Sequence, residues 1–526
     1  MGPGTRRRAA TIAACVVLGM AGVAGATGRR SGAVRPAARA AGSQAATVSV
    51  APTVITRPIS PDFVGLALEF STVPYWVRSG RPDPVLVRLI RNLAPAGRPM
   101  IRIGGLSTDR SWWPAPGLSR PPGVTYSLTP GWAQRLIALA RALDARLILG
   151  INLEADSRRV AQAEARNFLA SIPRRYLAAL DIGNEPPLYT SVPWYRVRNG
   201  TPFPWYSDVG AAVFSRGVSW GPQAFQRDYA RVLDALPPVP IAGPDTQQPS
   251  WFAAYRRFLS PRSRVRILAS HGYGLNSCVL RPRRPAYPSL SHMLSRYAID
   301  DLLRGLTRYV ALAHRNHATY RIDEMGSITC NGRAGVSDTM ASALWAAGAL
   351  FEAARDGVDG VNLHTYPALP NALYDISSSA DGWSAAVHPA YYGALLFARG
   401  APAGSRLVAV AIHGPATLRA WATFGPGRAR HVLLVNASPS RSVDVRVGSR
   451  AGRAFGATGR LQRLSAPGIG ASTAISLGGR SFGAVTMTGS LPAPVRDPVT
   501  SRRGIYRITV PAGSAALLTL TAPRKR

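Results

Sequence analysis

Two glutamates of this 526-residue chain stand where a catalytic pair could form. Glu185 lies in the segment Asn184-Glu185-Pro186, directly after a short apolar run, and Glu324 directly follows a second such run. The chain has only 26 acidic residues, so two glutamates at equivalent places stand out. A retaining glycosidase needs two carboxylates about 5–5.5 Å apart, one as nucleophile and one as general acid/base. The pair therefore predicts hydrolysis of a glycosidic bond, if the fold brings both side chains together.

The surroundings of each glutamate indicate its role. Glu185 is placed to protonate the leaving glycosidic oxygen, which requires a carboxyl group that its environment keeps neutral. Asn184, beside it, can hydrogen-bond the sugar 2-hydroxyl, a contact that strengthens in the transition state. Glu324 then attacks the anomeric carbon and must stay ionised. A lone glutamate at a strand end is more often a capping or salt-bridge residue, but the two together, with Asn184 before one of them, favour catalysis.

The elements that must position these residues repeat one unit: a short apolar run, a polar or glycine-rich turn, and a longer helical stretch. The runs are Phe63–Phe70, Met100–Gly104, Arg146–Asn152, Leu177–Gly183, Val239–Gly243, Val265–Ser270, Tyr320–Asp323 and Gly360–His364. Continuous apolar strands that alternate with helices predict a parallel sheet covered on both faces. Eight such runs predict an α/β fold, a (β/α)8 TIM barrel over residues 61–400.

A doubly wound open sheet is the alternative fold, but no glycine-rich phosphate-binding fingerprint opens the first helix. In a TIM barrel the chemistry lies at the carboxyl ends of the strands. Glu185 and Glu324 follow the fourth and seventh runs. We therefore expect both side chains to face one central pocket.

Beyond residue 400 the pattern changes to short runs rich in Val, Ile, Leu and Thr, separated by Gly, Pro and Ser turns. These runs are Leu407–Ile412, Leu418–Phe424, His431–Asn436, Ser442–Val447, Ile505–Val510 and Ala516–Thr521. Such spacing predicts an antiparallel β-sandwich domain over residues 401–526. An early run, Thr47–Ile55, precedes the barrel, and residues 47–60 are expected to add a strand to this sandwich.

The N-terminus has the pattern of a secretory signal peptide over residues 1–26. Arg6–Arg8 precede an apolar run, Ala9–Ala21, and small residues follow at Ala24–Ala26. Residues 27–46 are rich in Ala, Gly and Arg without a period, which is typical of a flexible linker. The protein is therefore expected to be secreted, as an extracellular or cell-envelope protein. An uncleaved anchor helix is the alternative; no membrane span is expected after signal cleavage.

The formal net charge is +37, from 62 arginines, a single lysine and 26 acids. A polyanionic partner would explain this balance, but so would the codon usage of a GC-rich genome, because the arginines are scattered. No zinc-finger spacing, RNP-like aromatic motif or basic zipper is present, which argues against nucleic acid. No His/Cys/Asp cluster has metal-ligand spacing and no phosphate loop occurs, so we expect no cofactor and no metal. The oligomeric state stays open.

Cysteine usage agrees with export. Cys15 lies inside the predicted signal peptide, so the mature chain keeps Cys278 and Cys330. Two cysteines in an exported protein suggest one disulfide bond. Two unrelated buried thiols are the alternative.

These motifs carry a family resemblance. The segment from Glu324 through the Val-Ser-Asp-Thr stretch at 336–339 closely resembles the nucleophile segment of glycoside hydrolase family 79, which holds the heparanases and bacterial β-glucuronidases. Asn184–Pro186, the turn Ser270–Tyr273 and Gly360–His364 also resemble its members. An Asn-Glu pair is shared by a whole clan of barrels, whereas the Val-Ser-Asp-Thr stretch is specific. The resemblance covers the chain from about residue 47 to the C-terminus.

The resemblance implies roles for individual residues. Glu185 would be the acid/base and Glu324 the nucleophile. Tyr273 would orient the nucleophile through its hydroxyl, although a core aromatic with a satisfied hydroxyl is an equal alternative. Glu69 would accept hydrogen bonds from sugar hydroxyls, or else pair with Arg102 or another neighbour.

The resemblance also sharpens the expectation for the cysteines. Cys278 would lie in the loop after the sixth strand and Cys330 in the loop after the seventh. Adjacent barrel loops can bring two Cα atoms within disulfide range. A Cys278–Cys330 bridge is therefore favoured, and it would brace the rim beside Glu324.

One departure from the family bears on the substrate. Members hold the sugar carboxylate with a tyrosine hydroxyl and backbone amides in the loop after the nucleophile. The corresponding places hold Thr329, Cys330 and Asn331 where heparanase-like members have Tyr and Gly. The backbone N–H groups of the Thr329–Gly332 turn could still cradle a carboxylate. A neutral β-glycoside is the alternative substrate.

Aromatic residues cluster after the fourth run, where they could form the wall of the leaving-group subsites or pack on the barrel rim. They are Tyr189, Trp194, Tyr195, Phe203, Trp205 and Tyr206. Trp112 and Trp113, after the second run, carry the same two interpretations.

The sequence therefore predicts a secreted retaining β-glycosidase, β-glucuronidase-like, that works by double displacement through a covalent glycosyl-enzyme intermediate. Its partner would be a β-glycoside or a glucuronide-containing glycan. One alternative keeps the mechanism on a neutral β-glucoside or β-xyloside. The other is a non-catalytic protein that binds an acidic glycan.

Overall fold

The computed structural model describes residues 41–379, 382–426, 429–450 and 455–520. The signal peptide expected at 1–26 lies outside the described residues, as does most of the linker expected at 27–46. Among the helices that are described, none has the length and apolar character that a membrane crossing requires.

Eight parallel strands close into a barrel, and the eighth strand pairs with the first. They are β1 Val64–Glu69, β2 Met100–Gly104, β3 Arg146–Ile151, β4 Leu177–Ile182, β5 Ile241–Thr246, β6 Val265–Asn276, β7 Thr319–Thr329 and β8 Gly360–His364. The predicted α/β class with a TIM barrel is confirmed. Two strands, β6 and β7, run well beyond their predicted ends, because they pair with each other as far as Asn276 and Thr329.

The barrel interior consists of two stacked layers of side chains. Met100, Ile148, Ala178, Ala179, Ala242, Ile267 and Ala269 form a separate buried cluster, here called the apolar layer. Side chains alternate between the faces of a strand, so residues two positions later point into the same interior. At those positions and at the adjoining strand ends lie Arg102, Asp181, Asp245, His271 and Asp323, all buried, here called the charged layer.

Helices cover the outside of the barrel. They are α1 Pro84–Leu93, α2 Pro130–Leu143, α3 Arg158–Ser171, α4 Pro222–Ala235, α5 Pro249–Tyr255, α6 Leu290–Met293, α7 Arg296–Ile299, α8 Thr307–Arg315, α9 Met340–Arg355 and α10 Pro389–Gly400. Short 3-10 turns occupy Phe70–Trp76, Gly105–Arg110, Pro186–Leu188 and Arg256–Phe258.

Local sequence sets where these helices begin. The side chains of Asp83, Thr129 and Ser157 accept hydrogen bonds from the first-turn backbone N–H groups of α1, α2 and α3. Pro84 and Pro130 then stand at the first helical position, where a missing N–H costs nothing.

The loops contain several short two- and three-stranded sheets. They are Val77–Arg78 with Arg81–Pro82, Ser111–Trp112 with Tyr126–Ser127, Tyr195–Arg198 with Thr201–Pro204 and Ala211–Val213, and Tyr374–Ser379 with Gly382–Val387.

A sheet-rich domain follows the barrel. Its strands are β9 Arg406–His413, β10 Leu418–Phe424, β11 Arg430–Asn436, β12 Arg441–Ser449, β13 Thr458–Ser465, β14 Ser476–Leu477, β15 Asp497–Thr500, β16 Tyr506–Val510 and β17 Ser514–Leu520. Leu461 and Ile508, from opposite ends of the strand order, share one hydrophobic core. The sheet therefore curves around a single interior, as the predicted C-terminal antiparallel domain requires.

The N-terminal strand, Ala41–Val54, belongs to this domain and not to the barrel. It pairs antiparallel with β9 and parallel with β12. Extended backbone thus begins inside the segment expected to be a linker. The neighbouring strands on both sides explain this, because they provide hydrogen bonds for the peptide groups of small residues that have little side chain to bury.

One helix, α9, lies between barrel and sheet. It is apolar on all sides, with Met340 through Ala354 all buried, as expected for a helix that is covered from both directions. Phe351 stacks on Trp421 of β10 at 5.6 Å, and the Trp421 indole donates to the Glu352 carboxylate at 2.7 Å. The two domains therefore share a packed interface.

Candidate active site

The fold brings Glu185 and Glu324 to one imidazole at the carboxyl end of the barrel. His271 Nδ1 lies 3.1 Å from Glu185 Oε1 and 3.9 Å from Glu324 Oε1. These two oxygens are therefore separated by no more than about 7 Å, the sum of the two distances. That limit is compatible with the about 5–5.5 Å between the carboxyl groups of retaining glycosidases.

Glu324 is held as a carboxylate from several sides. Tyr273 donates its hydroxyl to Oε1 at 2.8 Å, and Arg102 Nη1 donates to Oε2 at 2.9 Å. Burial by itself raises the pKa of Glu324, but the positive charges of His271, His364 and Arg102 and the Tyr273 hydroxyl together lower this pKa to about 2. An ionised side chain at neutral pH is what a nucleophile requires.

His271 lies between the two glutamates and is completely buried. Burial lowers its pKa, but the charges of Glu324, Glu185 and Asp323 outweigh burial and raise the pKa to about 9. The imidazole is therefore positively charged at neutral pH. It stabilises negative charge on the two carboxyl groups that share the pocket, above all on Glu324.

Glu185 differs from Glu324 in its backbone and its exposure. Its φ of 44° lies in the left-handed region, and its N–H donates to the Asp245 carbonyl at 3.0 Å. Strained backbone of this kind concentrates at functional sites. The Glu185 side chain is 27% exposed against 8% for Glu324, so Glu185 is the member of the pair that solvent and a leaving group can reach.

Arg102 is the centre of the charged layer, although its side chain has no exposed surface. Its Nε lies 3.1 Å from Asp181 Oδ2 and 3.0 Å from Asp323 Oδ2. Its Nη2 donates to Asp245 Oδ2 at 3.0 Å. Together with the bond to Glu324, these contacts fix the guanidinium beneath that residue.

The charged layer contains one grouping with the side-chain types of a metal site. Asp245, His271 and Asp323 offer ligand atoms that lie within 4.8 Å of one another, a grouping that no sequence spacing revealed. Arg102 places N–H groups 3.0 Å from Oδ2 of both aspartates. The guanidinium therefore already supplies part of the positive charge that these two carboxyl groups need.

Asn184 is fixed through both its side chain and its backbone. Its Oδ1 accepts from Arg102 Nη2 at 2.9 Å, and its N–H donates to Asp109 Oδ2 at 2.9 Å. Because Oδ1 is occupied, the Nδ2 hydrogens are what Asn184 can offer a sugar hydroxyl. This geometry fits the contact to the 2-hydroxyl that the sequence predicts.

Glu69 ends β1 in the same site, but it does not pair with Arg102. Its two oxygens accept from the backbone N–H groups of Leu106 and Ser107 at 3.2 and 2.7 Å, and His364 Nε2 lies 3.7 Å away. This packing requires Gly105, whose φ is 66° and where a Cβ would lie 2.1 Å from a Glu69 oxygen. Glu69 is thus a fixed acceptor, as the expected contact with sugar hydroxyls requires.

The Cys278–Cys330 disulfide is present and closes the rim between the loops after β6 and β7. Next to it, a cavity of about 470 Å³ opens onto Glu185 and is lined by Thr329, Cys330 and Asn276, among others. Asn331, expected to contact substrate, is exposed and lies outside this lining. Its φ of 69° follows one of 57° at Cys330, so the backbone of the rim is left-handed at both residues.

A larger hollow of about 780 Å³ lies between α1 and α10, far along the chain from either glutamate. It is lined by Arg88, Arg91 and Arg399, with Asp144 as its acidic residue. It holds no carboxylate pair, so cavity size alone does not locate the chemistry.

The predicted aromatic wall divides into two groups. Tyr189 and Trp194 are buried, and both bond to Asp109, through the Tyr189 hydroxyl at 2.8 Å and the Trp194 indole at 3.0 Å. They brace the segment around Asn184 and present no face to a sugar. Trp205 lines the cavity beside Arg196 and matches the expectation of a subsite wall.

Trp112 and Trp113 do not form a sugar platform. Trp113 packs edge-on against Phe168 at 5.8 Å within the hydrophobic core. Trp112 is buried and donates to the Ser127 hydroxyl at 2.9 Å. Both residues are structural because their faces are covered by protein.

The sequence reasoning missed the charged layer and the role of His271 in the site. One signal was available: Arg102, Asp181 and Asp323 interrupt otherwise apolar strands, where a charge is stable only if it is paired. Asp109 was also missed. It lies in an irregular turn, so no periodic pattern marks it, yet it accepts the N–H groups of Leu153 and Glu154 as well as that of Asn184.

The chain is similar to known proteins in one sequence region and in its fold. Residues 420–517 match the model of the Glycosyl hydrolase family 79 C-terminal beta domain. The resemblance to glycoside hydrolase family 79 is thereby confirmed. No curated protein is significantly similar to the sequence.

Solved structures share the fold over most of the chain. A 4-O-α-L-rhamnosyl-β-D-glucuronidase from Fusarium oxysporum 12S is 19% identical, with a TM-score of 0.66, and the match covers 90% of this chain and 100% of that one. A GH51 arabinofuranosidase from Xanthomonas axonopodis pv. citri is 16% identical, with a TM-score of 0.59 and coverage of 91% and 100%. A GH51 α-L-arabinofuranosidase from Thermotoga petrophila RKU-1 is 14% identical, with a TM-score of 0.56 and the same coverage. At these identities the likeness establishes the fold.

Proposed function

We propose that this protein is a retaining β-glycosidase, β-glucuronidase-like, in which Glu324 is the nucleophile and Glu185 the general acid/base. The observation that carries the proposal is the placement of both carboxylates against His271 in opposite environments. Glu324 is buried and bonded to Arg102 and Tyr273, whereas Glu185 faces a cavity. The match to the family 79 C-terminal domain supports glycoside hydrolysis as the reaction class.

Double displacement follows from these positions. In the first step Glu324 attacks the anomeric carbon while Glu185 protonates the departing oxygen on the cavity side. A covalent glycosyl-enzyme forms and the aglycone leaves. In the second step water enters from the same side, Glu185 removes its proton, and the bond to Glu324 breaks with net retention.

The donors around Glu324 assist the second step. When Glu324 becomes an ester, Arg102 and Tyr273 lose a charged acceptor, and they regain it when the ester is hydrolysed. They therefore stabilise Glu324 as it departs with its negative charge, and because they are already in place they need no reorganisation. Asn184 and Glu69 are held ready for sugar hydroxyls by Arg102 and by backbone amides.

Two observations bear on which sugar the site accepts. A rhamnosyl-glucuronidase is among the most similar structures, which favours a glucuronide. Thr329 and Cys330 line the cavity where heparanase-like members use a tyrosine, which favours a neutral β-glucoside or β-xyloside as the second candidate. Secretion belongs to the same proposal, and the Cys278–Cys330 bond is of the kind that forms in exported proteins.

A panel of aryl β-glycosides tests the proposal and separates its two substrates. Faster cleavage of the aryl glucuronide than of the glucoside and xyloside supports carboxylate recognition, and the reverse order removes it. Glu324→Gln should abolish turnover of the best substrate while the circular dichroism spectrum is unchanged. Full residual turnover would sink the assignment of the nucleophile.

Glu185→Gln is the matched variant for the acid/base. It should retain much more activity on an aryl glycoside with an acidic leaving group than on one with a poor leaving group, because only the poor one needs protonation. If the wild-type protein binds acidic oligosaccharides but cleaves none of the panel, the non-catalytic alternative is correct.

A further inference from the structure

The charged layer holds more acids than its cations can balance. Arg102 and His271 bring two positive charges and His364 adds a third beside Glu324, whereas Asp181, Asp245, Asp323 and Glu324 bring four carboxyl groups. All three aspartate side chains are completely excluded from solvent. An unbalanced buried charge is costly, so such a group keeps its proton instead.

Hydrogen-bond partners lead to the same conclusion. Each aspartate presents its Oδ2 to Arg102 within 3.1 Å. Oδ1 of all three, and Oδ2 of Asp323 as well, is buried without a hydrogen-bond donor among the described residues. Carboxylate oxygens accept and never donate. A single proton changes one of these oxygens into a donor and satisfies two of them at once.

Asp245 is the aspartate best placed to carry that proton. Its carboxyl group lies beside that of Asp181, on the same guanidinium, and offers an oxygen within 4.8 Å of one of Asp323. Asp181 instead accepts the single Nε hydrogen of Arg102, and Asp323 faces two cations, Arg102 Nε at 3.0 Å and His271 Nε2 at 3.9 Å. Burial, and next to it the charges of Asp181 and Asp323, raise the pKa of Asp245 well above its ordinary value.

Asp245 is also connected to both catalytic glutamates. Its backbone carbonyl accepts the N–H of Glu185 at 3.0 Å. Its carboxyl group contacts Arg102 Nη2 at 3.0 Å, and Arg102 in turn holds Glu324 and Asn184. The φ of Asp245 is 53°, so the left-handed backbone that serves these two contacts is strained for a residue with a side chain.

Among the residues that the structure describes, no group outside the charged layer and Glu324 brings a charge close to Asp245. From the helices outside β5, the phenols of Tyr229 and Tyr255 bond to each other at 2.8 Å. Burial raises the pKa of both well above the ordinary value, so both stay neutral. The ionisable groups that face Asp245 are therefore those of the charged layer and Glu324.

We propose that Asp245 is a neutral carboxylic acid in the working enzyme, that its proton is shared with Asp181 or Asp323, and that it is a positioning residue for Arg102. As a neutral group it holds Nη2 in place without competing with Glu324 for the positive charge of the guanidinium. The role in catalysis rests on the proposed function. The protonation state does not.

The first test reads the proton directly and needs no substrate. Protein labelled with carboxyl-13C aspartate is examined by infrared difference spectroscopy at pH 7.5, wild type against Asp245→Asn. The difference spectrum should contain an isotope-sensitive band of a protonated carboxylic acid that Asp245→Asn removes. Asp144→Asn is the matched control, because Asp144 forms an exposed ion pair with Arg98, and it should leave the band unchanged.

Three results overturn the protonation claim: no such band in the wild type, a band that survives in Asp245→Asn, or one equivalent of a divalent metal in the purified protein in place of the band. The last result would assign Asp245, His271 and Asp323 to a metal instead of a proton.

The second test reads the positioning role. Asparagine mimics a protonated aspartate, so Asp245→Asn should keep kcat on an aryl glycoside within about threefold of wild type. Asp245→Ala removes the contact to Arg102 and should lower kcat at least tenfold with little change in KM. Equal losses in both variants, with folding intact, would contradict the claim. A wild type without any turnover refutes the proposed function and leaves the infrared result standing.

Discussion

The apolar layer and the charged layer of the barrel are only two residues apart on the same strands. Met100 precedes Arg102, Ala179 precedes Asp181, and Ala269 precedes His271. All of these side chains are buried. The residues of the apolar layer need only the right shape and hydrophobicity, whereas each residue of the charged layer needs a particular partner. Burial therefore stabilises the barrel at one level and tunes ionisation at the next, within one continuous core.

The largest effect is expected from removing the centre of the charged layer. Arg102→Met leaves Asp181, Asp245, Asp323 and Glu324 without the guanidinium that they share, and breaking a buried ion pair in this way costs about 3–5 kcal/mol. Chemical denaturation should show that loss of unfolding free energy, and turnover should fall below detection.

Met100→Leu is the matched variant in the apolar layer. A swap that conserves volume should cost less than about 1.5 kcal/mol and leave turnover unchanged. If the two variants lose similar stability, the distinction between the layers is wrong.

The disulfide gives the next largest effect, at the rim instead of the core. Its sequence separation of 52 residues corresponds to about 4 kcal/mol of unfolding free energy in the chain-entropy model. The double variant Cys278→Ser with Cys330→Ser should lose up to that much unfolding free energy, measured by chemical denaturation. It should keep kcat, because the charged layer beneath Glu324 holds that side chain in place. A hundredfold loss of kcat would show that the rim also orients the nucleophile.

The pH dependence of stability should report on His271. Its pKa is about 9 in the folded protein, against an ordinary value of 6.5. The stabilisation is therefore complete below about pH 6.5, falls as the pH rises, and is lost above about pH 9, by about 3 kcal/mol at most. His271→Gln should flatten the decline of unfolding free energy across this window.

His314→Gln is the control for that measurement, because His314 pairs with Asp359 outside the charged layer. It should leave the decline between pH 6.5 and about pH 9 as in the wild type. An unchanged decline in His271→Gln would mean that His271 is neutral in the folded protein.

The smallest effect is expected at the cavity wall. Trp205→Ala should raise KM about tenfold, or about 1.4 kcal/mol, for a substrate with a large aglycone and leave a small aryl glycoside unaffected. Tyr206→Ala is the control, since Tyr206 is 52% exposed beside Trp205. Equal effects of the two substitutions would place the aglycone elsewhere.

The sequence predicted the strands of the barrel better than those of the C-terminal domain. Apolar runs alternating with helices predicted the barrel strands, and their ends predicted Glu185 and Glu324. The C-terminal strands β13 and β15 were missed because Thr458–Ser465 and Asp497–Thr500 mix arginine, glycine, proline and polar residues into their short runs.

Partnerships between distant residues were beyond sequence reasoning. Arg102 and Glu324 are 222 positions apart, and nothing local indicates that they meet. The same holds for Asp109, whose contacts to Asn184 and Tyr189 arise only when the turn after β2 reaches the turn after β4. A charge inside an apolar strand indicates that a partner exists, but only the closed barrel shows which residue that partner is.

The most direct test of the account is to trap the intermediate on Glu324. Wild-type protein is incubated with a 2-deoxy-2-fluoro β-glycoside, with an activated leaving group, of the sugar that the panel identifies as best. The intact mass should increase by one fluorosugar, located by peptide mapping to Glu324 and absent from Glu324→Gln. An enzyme that cleaves the parent glycoside yet forms no adduct, or forms it on another residue, would contradict the account.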